Sequence, residues 1–181
     1  MTPLFELLAD ASLTHTEPPA ETDNRPGWTR DIAPSLDQVL VEGPAEAFQF
    51  DVPYVMGQPL ILSQRAWSLL ENDASPGSKA YPVRRRRPDL PLQPIPFVGV
   101  FVAPVPGLFD LEASEWEPHR MFPELVGEVS TLVLQRPPPC GFFSMPECRG
   151  RYLVTPDTRD KLLAAGLKGL AFKPFPRLLG T

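Results

Sequence analysis

The stretch "RYLVTPDTRDKLLAAGLKGLAFKPF", Arg151 to Phe175, decides the fold class. Its reading is strand, capped helix, strand. Tyr152 to Val154 form a short apolar strand. Thr155 stands where a helix N-cap belongs, and Pro156 takes the first helical position, where no amide donor is needed. Asp157 complements the positive end of the helix dipole. Leu162, Leu163 and Ala165 supply the expected buried side. Gly166 ends the helix in the left-handed conformation that glycine adopts cheaply, with Leu167 packing back over it. "GLAFKPF" then returns as a strand with Leu170 and Phe172 on one face.

A similar piece lies upstream. In "LILSQRAWSLLEN", Leu60 to Leu62 read as a strand, Ser63 as an N-cap, and Ala66, Trp67 and Leu70 as an apolar helical stripe. A turn at "DASPGSK" leads into "AYPV", another short strand. Laid on the C-terminal piece, Ser63 falls on Thr155 and Leu70 on Leu162, while "AYP" falls near "AFKP". Two origins fit: duplication of one β-α-β unit, or two independent solutions to one packing problem.

Further out the signals are shorter. "PLFELLAD", Pro3 to Asp10, places Leu4, Leu7 and Leu8 at helical spacing, so a short amphipathic helix or docking segment is expected. "AFQFDVPYV", Ala47 to Val55, alternates Phe48, Phe50 and Val52 like a half-buried strand. "RRRRPDLPLQP" reads as a solvated basic loop running into a proline-rich connection. "FVGVFVAPV", Phe97 to Val105, reads as a buried strand, "FDLEASEWEPHRMF" as a short acidic helix or turn, "STLVLQ", Ser130 to Gln135, as a strand, and "GFFSM" as a short strand or hairpin arm. The sum is an α+β protein with a mixed or mostly antiparallel sheet, a few short helices and many proline-rich loops. One domain over residues 1–181 is expected, in four segments: an acidic 1–46, a first strand–helix–strand unit at 47–88, central strands and loops at 89–141, and the C-terminal module at 142–181.

Composition bounds the function. The chain has 181 residues, 43 % of them apolar, so it has enough core-forming material for one sizeable domain. The 25 prolines far exceed the roughly 5 % of average usage and demand short elements with rigid connections. Apolar runs of transmembrane length are absent, and the first 20 residues lack a basic segment followed by an apolar one. The expectation is a mature chain that starts at Met1, stays in the cytoplasm and does not engage a membrane. Two cysteines, Cys140 and Cys148, without an export signal read as partly buried thiols rather than a disulfide or a zinc site. Net charge is −5, and residues 1–51 carry ten acidic side chains against two basic ones, a local −8. Residues 149–181 carry seven basic against two acidic, a local +5. The acidic excess argues against nucleic-acid binding and favours encounter with a basic partner.

Catalytic signatures are hard to find. His15 lies in a polar loop and His119 beside Pro118, and neither neighbours a nucleophile motif. Phosphate-cradling glycine loops and zinc-binding helix motifs are missing. The carboxylate pairs Glu115 with Glu117 and Asp157 with Asp160 lack a pocket context, and Asp157 is explained by the helix start. A non-enzyme without cofactor or metal is therefore expected. The partner-binding candidates are Glu115, Trp116, Glu117 and His119, together with the acidic N-terminal stretch. Tryptophan is a common interface anchor, and surrounding acids steer a basic partner. Trp116 reads either as such an anchor or as core.

Several residues carry a family resemblance. An aliphatic–Val–Thr triplet, a Leu–Leu pair, then Ala–Gly–Leu–x–Gly and a strand ending in Phe–x–Pro resemble the C-terminal module of a group of bacterial immunity proteins. These belong to polymorphic toxin systems. The preceding "FFSM…RGRYLVT" is similar to that group as well, and Phe142 to Phe175 carry most of the likeness, with Leu60 to Val83 a looser match. A related group has paired Cys-x-x-Cys-Gly motifs, whereas this chain has "PCG" at Pro139 to Gly141 and a lone Cys148. The resemblance implies a small cytoplasmic protein that binds a cognate toxin and silences it by occlusion, with no shared catalytic residues. An enzyme that reverses a toxin's modification and an adaptor without a toxin partner are the alternative expectations.

Overall fold

In the computed structural model, residues 3–9, 39–41, 48–53, 60–87, 90–120, 123, 125–148 and 150–175 are described. Chain order is β1 (Phe5–Ala9), β2 (Val39–Val41), β3 (Leu60–Ser63), α1 (Gln64–Leu70), β4 (Lys79–Arg87), β5 (Leu90–Phe101), β6 (Glu115–Pro118), β7 (Val126–Thr131), β8 (Phe142–Phe143), β9 (Tyr152–Val154), α2 (Pro156–Ala164) and β10 (Leu170–Pro174). The fold is α+β: two short helices and three mostly antiparallel sheets. One sheet has the order β10-β1-β9-β8, a second β2-β4-β5-β3, and β6 and β7 form a two-stranded ribbon. Only the β2–β4 pairing is parallel among these neighbours.

The two strand–helix–strand pieces share one topology. β9 and β10 are joined by α2, yet β1 lies between them and runs antiparallel to both. β3 leads through α1 to β4, yet β5 lies between them and runs antiparallel to both. Each piece is thus a β-α-β unit split by one inserted strand. The inserted strand follows directly in sequence in one unit and comes from the start of the chain in the other.

The side-chain period of two explains the layering. Leu4, Leu153 and Phe143 point from one face of the first sheet into a core with Leu108, Leu132, Met145 and Phe175. Leu7, Val154 and Phe142 point from the opposite face into a second core, shared with Leu60, Leu62 and Val100 of the other sheet and Ala66, Leu70 and Leu162 of the helices. Ile61, Val83 and Phe97 form a third, smaller cluster on the far face of the second sheet. β8 and β9 of the first sheet are therefore apolar on both faces, with the ribbon and its loops on one side and the second sheet and both helices on the other, whereas β1 carries Glu6 and the exposed Leu8 on the first side.

Polar clamps join the two units across the second core. Asp51 is the most heavily used. Its Oδ1 accepts from the Ser63 hydroxyl at 2.6 Å and its Oδ2 from the Lys168 amide at 2.9 Å. Its own amide donates to Lys168 O at 2.9 Å and its carbonyl accepts from Ser63 N at 2.7 Å. Arg65 donates to Ala165 O, and Asp73 Oδ2 accepts from Thr158 Oγ1 at 3.2 Å and Lys161 Nζ at 3.0 Å.

Several expectations are corrected. Phe5–Ala9 is a central strand, not a helix, because β9 and β10 offer ladder partners along both of its edges; Leu7 is buried on one face and Leu8 is exposed on the other. Residues 48–53 are irregular rather than a strand, since the Asp51 backbone bonds to Lys168 and Ser63 instead of to a ladder. The arginine run is part of β4, which pairs with β2 on one side and β5 on the other, so it is not a loop. The proline-rich connection belongs to β5, where Pro91, Pro94 and Pro96 precede the stretch that pairs with β3. There one edge of the strand needs no ladder donor from them. The strand expected from Ser130 is Val126–Thr131. In α2, Leu162 and Thr158 are buried, whereas Leu163 is 56 % exposed. The Thr155 side chain makes no cap bond and its hydroxyl points to Thr158 Oγ1 at 3.3 Å, so Pro156 and the backbone carry the helix start.

Candidate functional site

The acidic segment expected as a helix or turn is a turn followed by one arm of the ribbon. Asp110 makes the turn: its Oδ1 accepts from the amides of Glu112 at 3.1 Å and Ala113 at 3.0 Å, and its carbonyl from Ser114 N at 3.0 Å. An aspartate that bonds amides two and three residues on is a local turn former. The base of the ribbon is then tied by Ser114, whose hydroxyl accepts from Val133 N at 2.9 Å, and by Asp110 N donating to Val133 O at 3.0 Å.

The ribbon turns one face inward and one outward. Trp116 and Val129 are cross-strand partners and both pack against the first core. Glu115, Glu117, Glu128 and Ser130 are exposed. Glu117 stands directly opposite Glu128. The Glu115 carboxylate accepts from Thr131 Oγ1 at 2.9 Å. Trp116 Nε1 donates to Leu111 O at 3.1 Å, and the Leu111 side chain is 45 % exposed at the end of the ribbon.

Two register shifts fix this alternation, one between Glu115 and Trp116 and one between Glu117 and Pro118. The second leaves Gly127 as the extra residue of a β-bulge, which bends a strand and increases its twist. A Cβ on Gly127 would lie 2.9 Å from both His119 Cα and Pro118 O, so the approach of the two backbones requires glycine. His119 N closes the arm by donating to Leu125 O at 2.8 Å. Arg151, from the residue before β9, reaches across: its guanidinium donates to Gly127 O and lies 5.6 Å from the centroid of the Phe175 ring.

The four residues expected to bind a partner therefore fall on one arm and its continuation, with different directions. Glu115 and Glu117 face out, Trp116 turns into the core with its indole N–H satisfied, and the half-buried His119 sits at the bulge. Glu128 joins the glutamates on the outer face and was not legible as a neighbour, because its register depends on the bulge. Most of the acidic N-terminal stretch lies outside the described residues; within it, Asp51 is committed to the clamp between the units.

Other reactive groups are accounted for differently. Burial pushes the Cys148 thiol up to about 12, the largest cause among several, and burial also raises Cys140. Both are free thiols. Among the described residues there is no group of three or more His, Cys, Asp or Glu side chains placed to hold a metal ion. Asp157 is exposed in the first turn of α2, and Asp160 pairs with Arg159 at 2.6 Å. No helix among the described residues is long and apolar enough to cross a membrane.

No family model matches this chain, and no curated protein matches it. What the ribbon offers chemically is a bent, preorganised surface with outward carboxylates and one exposed leucine at its end. Such a surface suits recognition of a basic protein partner.

Proposed function

We propose that the protein is an immunity protein that binds a cognate bacterial toxin and neutralises it by covering it. The outer face of the β6–β7 ribbon makes the contact. One observation carries the reading: Glu117 lies directly across from Glu128 on an exposed two-stranded ribbon. Like charges opposite each other destabilise a strand pair, and a lone ribbon is marginal to begin with. A pairing that costs stability is explained when a basic partner neutralises both carboxylates. Glu115 extends the same surface, and the acidic balance of the chain steers a basic toxin toward it.

Co-expression with the toxin encoded beside it tests this. Cells should survive, and the two proteins should co-elute as a stoichiometric complex on size exclusion. Protection should rise in proportion to the amount of this protein. Death of the cells together with separate elution would reject the proposal, and protection at far below stoichiometric amounts would point to the enzymatic alternative.

A further inference from the structure

We infer that Arg151 is the positioning residue of the ribbon: its guanidinium, lodged between Gly127 O and the Phe175 ring, sets the angle at which the outer glutamates are presented. The inference rests on the reading of the ribbon as the docking surface. Three observations converge on it. The bulge at Gly127 is one of the two bends of the ribbon, since β7 there carries one residue more than β6. The carbonyl of that extra residue accepts from Arg151. Arg151 itself stands immediately before β9, with its backbone amide bonded to Cys148 O of the preceding 3-10 turn at 3.2 Å and its charge over Phe175, a core residue that is 4 % exposed.

The geometry makes this a lock rather than an incidental contact. A two-stranded ribbon has no sheet neighbour to fix its orientation. Trp116 and Val129 hold one face of it by packing, which is non-directional. A charge-assisted hydrogen bond to the bulge carbonyl is directional and supplies the missing constraint. Arginine suits the position because its planar group can donate at its edge while its face covers a ring. The C-terminal module, which holds no chemistry of its own, thereby aims the surface that does the binding.

Hydrogen exchange on the full chain, read by peptide, tests the lock. Arg151→Ala should speed exchange of the amides of Val126–Thr131 and Glu115–Glu117 by roughly ten-fold or more, the loss expected for one charged hydrogen bond in a local opening. Exchange in Phe5–Ala9 and Leu60–Ser63 should be unchanged. Arg151→Lys keeps the charge but lacks the planar fork, and should fall between the two. Ribbon exchange equal to that of the unaltered protein in both variants would overturn the inference. So would exchange raised throughout the chain in Arg151→Lys, because the residue would then be a general fold contact. A separate arm tests the docking reading: Glu117→Gln with Glu128→Gln should lose binding to poly-L-lysine at low salt. Retained binding there, with the exchange result as expected, would leave the lock standing and remove the docking surface.

Discussion

Asp51 and Gly169 meet at the seam between the two units, and both are there for reasons of space and hydrogen bonding. Gly169 has φ +80°, and a Cβ on it would lie 2.7 Å from Val52 O and 2.8 Å from Phe50 Cβ. Gly166, three residues earlier, has φ +62° with nothing within 4 Å of an added Cβ. Gly169→Ala should therefore cost about 2 kcal/mol or more, from backbone strain and collision together, and Gly166→Ala about 1 kcal/mol from strain alone. Urea unfolding of the two variants gives the order directly; equal losses would mean that the segment 50–52 yields freely. Cys148 makes a second residue-scale test. Its thiol is held protonated in the fold, up to about 12, while in the unfolded chain it ionises near its ordinary value of about 8.5. The stability from the buried neutral thiol is complete below that ordinary value. It is lost as pH rises toward about 12, because the unfolded chain releases its proton first. Cys148→Ala removes the titration, so the stability gap between the protein and this variant should narrow from pH 8 to pH 11. A constant gap would show that the thiol ionises as readily inside as outside.

The two helices start alike in sequence and differently in structure. Ser63 Oγ accepts from Ala66 N at 3.1 Å and also donates to Asp51, whereas Thr155 accepts no helix amide. Ser63→Ala should cost about 1–2 kcal/mol and Thr155→Ala less than about 0.5 kcal/mol, measured by denaturant midpoints. Comparable losses would show that the Thr155 cap forms in solution. The same contrast explains which elements can be read from sequence. The segments 60–70 and 152–174 are legible because caps, Pro156, Gly166 and short apolar runs are local signals. Phe5–Ala9 is not, because Leu8 on its open face breaks the apolar alternation of Phe5, Leu7 and Ala9. Leu4 and Leu7 then serve opposite cores at a spacing that also fits a helix. The arginines of β4 read as solvated until β2 and β5 supply ladder partners from 44 residues before and three to ten residues after. In the ribbon, Glu115, Trp116, Glu117 and His119 were legible as a cluster of residue types. Their directions were not, and neither were the pairing with Glu128 and the reach of Arg151, all of which depend on a bulge and on long-range contacts.

At the scale of the molecule, a stable double-sheet body carries one arm whose outer face works against its own stability. That arrangement separates the fold from the proposed binding surface, and it gives the ribbon glutamates a signature that ordinary surface charges lack. Neutralising one member of the facing pair, by Glu117→Gln or Glu128→Gln, removes the repulsion across the ribbon. Stability should rise by about 0.2–1 kcal/mol. Binding of the basic toxin should weaken at the same time, chiefly through slower association, since outer charges act on encounter more than on residence. The deficit should shrink as salt is raised, because the Debye length falls from about 10 Å at 0.1 M to about 3 Å at 1 M. Urea unfolding and association kinetics with the co-purified toxin, each at low and high salt, read the two effects independently. Opposite signs would identify Glu117 and Glu128 as binding residues maintained at a cost to the fold. A joint loss of stability and binding would make them structural, and no change in either would make the row an ordinary acidic surface.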